Sequence, residues 1–311
     1  MTARAVVFAY HDVGVRCLSV LLARGVKVAL VVTHRDDPKE AIWFASVERL
    51  AREQGLEVAA PDHPNAPEFV ARLAGLAPDF LFSFYYRHML SPAVLACASR
   101  GAFNMHGSLL PRYRGRVPVN WAVLHGESET GATLHEMVEK PDAGRIVDQM
   151  AVPILPDDLA VDVFRKVSVA AEIVLHRALP ALLDGTARPR PQDLAAGSYH
   201  GARKPDDGRI DWSKGAREIH NLVRAVAPPY PGAFTAVAGT RVRILRSRLL
   251  AGRAPPGEAT LKFDPGGHLI AACADGGLLE ILEWDAPDRP QDAARVRELF
   301  GAAPTRPGTQ A

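Results

Sequence analysis

Apolar, β-branched runs alternate with helical stretches through the first hundred residues, and that alternation most narrows what this chain can fold into. Strands are expected at 5–10, 26–33, 56–60 and 79–85, with helical periodicity from Cys17 to Ala23, Ala41 to Gln54 and Ala66 to Leu76. A run such as Val28-Ala29-Leu30-Val31-Val32 is apolar at every position. Only a sheet covered on both faces buries such a run, so a Rossmann-like, mostly parallel sheet follows.

Beyond residue 100 the pattern turns irregular, then resumes with strands at 132–138 and 146–152 and a helix over 159–183. The Arg188-Pro189-Arg190-Pro191 stretch opens a linker. Short strand candidates at 233–238, 240–246, 268–273 and 278–283, parted by Gly/Pro turns, read as a small β-barrel-like (OB-like) domain. The expected class is therefore α/β: a Rossmann-like domain over 1–187, a linker at 188–200, a barrel-like domain over 201–304 and a disordered tail at 305–311.

Several functions lose their strongest support at once. The first strand runs into Tyr10-His11-Asp12-Val13-Gly14 and not into G-x-G-x-x-G, so the glycine turn that admits a dinucleotide pyrophosphate is missing. No phosphate loop and no H-E-x-x-H is present. The formal net charge of +2 makes no case for nucleic acid or an anionic membrane. No apolar run reaches about 18 residues, the usual minimum for a membrane span. Three scattered cysteines and no signal-peptide pattern make the cytoplasm the expected address.

The densest chemistry lies in Phe103-Asn104-Met105-His106-Gly107-Ser108-Leu109-Leu110-Pro111-Arg112-Tyr113-Arg114-Gly115-Arg116. If 103–106 ends a strand, Asn104 and His106 project from one face, so an amide and an imidazole converge. Taken alone, a histidine such as His106 is more often a satisfied structural group, and Asp142 is more often an ordinary turn residue. Arg112, Arg114 and Arg116 are either a solvated face or a clamp for an anion. Arg241, Arg243, Arg246 and Arg248 are either an exposed sheet face or an RNA contact.

Read together, Phe103–Pro111 with Arg114-Gly115, then Thr130-Gly131-Ala132-Thr133-Leu134-His135 and Asp142-Ala143-Gly144, resemble the signature of the 10-formyltetrahydrofolate-dependent formyltransferases. Phe8–Asp12, Ser83–His88, Pro205-Asp206-Asp207 and Pro231-Gly232-Ala233-Phe234 are most similar to the branch that formylates UDP-4-amino-4-deoxy-L-arabinose, a sugar of lipid A modification and polymyxin resistance. The likeness covers nearly the whole chain. It implies catalytic roles for Asn104, His106 and Asp142. It implies folate binding by His88, Met89, Leu90, Arg116 and the loop Val138, Glu139, Lys140, Pro141 and Asp142, with no metal.

For a nucleotide-sugar substrate the candidates are Tyr10, His11 and Asp12 after the first strand, Arg112 in the central loop, and Arg203, Arg224 and Tyr230 from the C-terminal region. Cations suit a pyrophosphate and an aromatic ring suits a base. Two rivals stand beside this reading. Methionyl-tRNA formyltransferase shares the fold, the folate and the catalytic set, and typically carries a basic insertion after the second strand. Here that segment is His34-Arg35-Asp36-Asp37-Pro38-Lys39-Glu40-Ala41, which offers phosphates little grip, so nucleic acid is not the expected partner. A folate- or nucleotide-binding protein without turnover is the second rival. The sequence carries no signal for an oligomeric state.

Overall fold

In the first hundred residues the observed order is β1 (Arg4–Ala9), α1 (His11–Ala23), β2 (Lys27–Val32), α2 (Val47–Glu53), β3 (Val58–Ala59), α3 (Pro67–Gly75), β4 (Phe80–Phe84) and α4 (Pro92–Leu95). β5 (Gly101–His106), β6 (Arg114–Gly115), α5 (Pro118–Leu124), β7 (Glu129–Glu136), β8 (Ile146–Pro153), α6 (Ala160–Asp184) and β9 (Tyr199–His200) follow. This computed structural model describes residues 3–38, 40–237, 240–287, 300, 306 and 307.

Seven strands form one sheet in the order β3-β2-β1-β4-β5-β7-β8. Pairing is parallel from β3 to β5 and antiparallel at β5/β7 and β7/β8. All five residues of β4 are buried, as a central strand covered on both faces requires. On one face Val6, Phe8, Leu30, Val32, Leu81 and Ala102 pack with Phe69, Leu73, Leu90 and Val94. The opposite face carries Phe80, Phe82 and Phe103, whose ring centroids lie 5.8–6.2 Å apart. The helices start where local chemistry allows. The Ser46 hydroxyl accepts the Arg49 N–H at α2, and Pro67 and Pro92 open α3 and α4, where a missing N–H costs nothing.

The C-terminal elements are α7 (Ala216–Val226), β10 (Ala233–Val237), β11 (Thr240–Arg253), β12 (Thr260–Phe263), β13 (Leu269–Ala272) and β14 (Gly277–Asp285). The five strands form an antiparallel sheet in the order β10-β11-β14-β13-β12. Its edge strands do not pair with each other among the described residues, so the expected barrel is a half-barrel. Helix α7 lays Ile219 and Val223 against it. Strand β11 runs well past the expected 240–246, and β12 was not anticipated, because its Thr260-Leu261-Lys262-Phe263 is too short to carry a clear alternation.

The chain divides into two units that interleave in sequence. The first holds Met1–Pro118, Glu129–Pro153 and Phe164–Gly201, and the second holds Val119–Ser128, Ile154–Val163 and Ala202–Ala311. Two stretches of the expected first domain therefore belong to the second unit. The expected linker at 188–200 is a packed strap of the first unit. Arg190 bridges Ile146, and β9 pairs parallel with β6. Backbone hydrogen bonds overrule the Pro-rich composition there. The tail expected at 305–311 lies outside the described residues except for 306 and 307, where Arg306 pairs with Glu258 at 2.9 Å. No described helix is long and apolar enough to cross a membrane.

Candidate active site

Strand β5 ends on Asn104-Met105-His106, and the two-residue period sends Asn104 and His106 to the face on which Ala102 packs. The antiparallel register with β7 sets Asn104 opposite His135 and His106 opposite Thr133. His135 Nδ1–H donates to the Glu136 carbonyl at 2.8 Å, so its Nε2 accepts from Asn104 Nδ2 at 3.1 Å. That contact orients the Asn104 amide and takes one of its two N–H groups.

His106 Nε2–H donates to the Tyr113 carbonyl at 2.8 Å, and Nδ1 stands 3.6 Å from Asp142 Oδ1. The same carboxylate oxygen is 3.5 Å from His135 Nε2, while Oδ2 accepts the Gly115 N–H at 2.9 Å. Burial alone would raise the Asp142 carboxyl. Protonation of His106 or His135 would favour the carboxylate, and the Gly115 N–H does so too; together these outweigh burial, and the group titrates below the usual carboxylate range.

Two loops hold this cluster. Asp142 adopts φ 52°, and Gln192 of the strap donates to the Asp142 carbonyl at 3.0 Å and to the Gly144 carbonyl at 2.6 Å. Across the site Tyr113 N–H donates to the Ser198 hydroxyl at 2.9 Å, and Arg116 N–H to the His200 carbonyl at 2.9 Å. A Cβ on Gly107 would lie 2.1 Å from the Tyr85 hydroxyl, which is why glycine follows His106. Left-handed backbone at non-glycine residues occurs, among the described residues, at Ala77 and at His11, Tyr85, Tyr113, Val117 and Asp142. Of these, Tyr85, Tyr113, Val117 and Asp142 belong to the loops around the cluster, and His11 follows β1. Backbone held in so sparse a region gathers where surrounding contacts over-determine it, as at functional sites.

The remaining expected site residues separate. His88, Arg116, Glu139 and Lys140 are exposed, and Met89 and Val138 leave 56% and 42% of their surface open. Pro141 is half-buried. Leu90 is buried in the core beside Phe69, Leu73 and Val94. The Tyr10 hydroxyl donates to Asp36 at 2.8 Å, with Arg87 over its ring. Asp12 Oδ1 accepts the Ala45 N–H at 2.8 Å.

His11 is enclosed by Phe44, Trp43 and Phe164, and burial, with Arg87 nearby, pushes its imidazole down to about 3. Arg112 is exposed, beside the Tyr113 ring. In the second unit Arg203 lies over Trp121 and donates to the Asp207 carbonyl, and burial raises Tyr230 to about 12 although a hydrogen bond with Asn120 opposes it. Arg224 is engaged within its own unit. It is buried, and it spends its guanidinium on the Leu155 and Asp158 carbonyls and the Asn221 amide oxygen.

His135, Gly115 and Gln192 were not among the expected site residues. His135 lay in a quoted motif, but its partner across the sheet depends on register. Register also sets the surroundings of the C-terminal arginines: Arg243, Arg246 and Arg248 face Asp285, Glu283 and Glu280 across β11/β14, and Arg241 stacks over Phe234. Paired charges attract a polyanion weakly.

Residues 11–179 match the model of the formyl transferase family, and 203–296 that of the formyl transferase C-terminal domain. Among solved structures, an N-formyltransferase from Helicobacter canadensis in complex with folinic acid and dTDP-3-aminofucose has a TM-score of 0.70 at 20% identity, covering 90% of this chain and 99% of that one. WlaRD, a sugar 3N-formyltransferase in the presence of dTDP and 5-N-formyl-THF, has a TM-score of 0.68 at 19% identity, covering 90% and 97%. HypX from Aquifex aeolicus in complex with tetrahydrofolic acid has a TM-score of 0.64 at 20% identity, covering 96% of this chain and 48% of that one. At such identities the structural likeness speaks to the fold.

Proposed function

This chain belongs to the formyl transferase family, and on that premise we propose that it moves a formyl group from 10-formyltetrahydrofolate to the primary amine of a nucleotide-linked amino sugar. The observation that carries the reading is the meeting of Asn104, His106, His135 and Asp142 around one carboxylate oxygen and one oriented amide. The structures of folinic acid and dTDP-sugar complexes with the same fold support the two reactant classes.

Folate would supply the activated formyl group and a leaving nitrogen. The exposed apolar side chains of Met89 and Val138, on the two loops expected to hold it, fit a flat ring system with polar edges. As the amine adds to the formyl carbon, negative charge builds on the carbonyl oxygen. The second N–H of Asn104, left over from the His135 contact, would donate to that oxygen. A preorganised donor of this kind is typically worth about 2.7–4 kcal/mol. With Nε2–H committed to Tyr113, His106 would take the amine proton at Nδ1 and pass it to the departing folate nitrogen as the nitrogen–formyl bond breaks, and Asp142 would stabilise the imidazolium formed in between.

For the acceptor we propose UDP-4-amino-4-deoxy-L-arabinose, on the likeness of Phe8–Asp12 and Ser83–His88 to that branch. Lipid A modification in the cytoplasm would then be the setting. The test is single-turnover transfer from 10-formyltetrahydrofolate to UDP- and dTDP-linked amino sugars by wild type, Asn104→Ala and His106→Ala, with folate binding checked. Transfer by wild type, lost by at least about 100-fold in both variants, is expected. Undiminished rates in both variants refute the assignment, and transfer to methionyl-tRNA alone replaces the acceptor.

A further inference from the structure

Three arginines stand within the loop after His106, and their environments differ. Arg112 and Arg116 are exposed. Arg114 is 8% exposed, and its Nε is sealed from solvent with no hydrogen-bond partner. Among the described residues no carboxylate pairs with this guanidinium and no carbonyl accepts from it. Other buried guanidinium groups are used differently. Arg224 leaves its Nε sealed too, yet its terminal nitrogens donate to Leu155, Asp158 and Asn221. Arg203 donates to the Asp207 carbonyl and rests on Trp121. Of these three, Arg114 has its Nε sealed from water and no protein carboxylate or carbonyl among the described residues beside its guanidinium.

Its backbone is fixed. Arg114 N–H donates to the Ser198 carbonyl at 3.0 Å, and the next residue, Gly115, donates to Asp142 Oδ2 at 2.9 Å. The terminal nitrogens of Arg114 are not among the sealed atoms, so they remain open to an incoming group. A buried charge is kept only where something of opposite sign meets it. A guanidinium fork suits two parallel oxygens.

We infer that Arg114 binds an oxyanion carried by one of the two reactants, through its terminal nitrogens, one residue from the contact that holds Asp142. The inference rests on the formyl-transfer reading, under which two groups have this chemistry: the diphosphate of the nucleotide sugar and the glutamyl carboxylate of the folate. The diphosphate is the better match, because it brings more charge to a cation that nothing else neutralises.

Calorimetric titration of wild type, Arg114→Gln and Arg114→Lys with uridine 5′-diphosphate, uridine, tetrahydrofolate and tetrahydropteroate tests it. Arg114→Gln is expected to weaken the diphosphate by about 10- to 100-fold and to leave uridine and tetrahydropteroate unchanged. Arg114→Lys, which keeps the charge and loses the fork, is expected to fall between. A loss confined to tetrahydrofolate supports the inference with the carboxylate as the source. Affinities equal to wild type for both anionic probes overturn it, as does an equal loss on all four. If Arg114→Gln does not fold, Arg114→Lys decides by the same criteria. A wild type that binds none of the four overturns the formyl-transfer reading and this inference with it.

Discussion

Replacing Asp142 by asparagine removes one charge and little else, because the amide keeps the shape of the carboxylate and an oxygen for the Gly115 N–H. In wild type the carboxylate oxygen stands 3.6 Å from His106 Nδ1. Two unit charges at that separation attract by about 4–5 kcal/mol at an effective dielectric constant of about 20. Part of this offsets the cost of burying the carboxylate, which leaves a net effect of about 3 kcal/mol on an imidazolium formed during proton transfer. Asp142→Asn should therefore lower kcat by about two orders of magnitude while KM for the sugar changes little.

Rapid-quench formyl transfer from pH 5 to 9, with folate affinity measured separately, gives the number. A variant within about threefold of the wild-type kcat, with an unchanged pH profile, refutes the role given to this carboxylate. Stability provides an independent check with a definite sign. The folded-state pKa of Asp142 is depressed, so its ionised form stabilises the protein above about pH 4, its unfolded value, and that contribution is lost as pH falls through the lower folded value. The stability gap between wild type and Asp142→Asn should therefore narrow on acidification below about pH 4 in urea titrations.

His135→Leu should lower kcat by about tenfold or more without weakening folate binding, because Asn104 loses the acceptor that orients its amide; single-turnover rates beside folate titration test this, and an unchanged rate refutes it. Gly107→Ala should destabilise the fold by about 1–3 kcal/mol through the Tyr85 hydroxyl, and Tyr85→Phe should restore much of the loss. Thermal denaturation of the single and double variants reads the rescue, and additive losses exclude this contact as the cause. Arg224→Ala should cost about 1–3 kcal/mol of stability in denaturant titrations, since it leaves the buried Asn221 amide oxygen unpaired. Lost nucleotide affinity with stability intact would return Arg224 to the binding site.

Much of the first unit is legible without coordinates, because burial on both faces of a sheet demands nearly unbroken apolar runs, and Ala5–Ala9, Val28–Val32 and β4, apart from Ser83, show them. The direction of Asn104 and His106 is legible too, since alternation along one strand is local. The roles of Asn104, His106 and Asp142 come from a resemblance of motifs, and their mutual distances from the fold. Only tertiary structure decided that Asn104 meets His135, that Gln192 and Ser198 turn an apparent linker into a strap, and that Arg243, Arg246 and Arg248 face acids. It also separated Arg114 from Arg112 and Arg116, three cations that look alike in the chain. The reason is common to all of these. A residue's direction is set by its neighbours in sequence, but its partner is set by strand register and loop docking, which depend on contacts far along the chain.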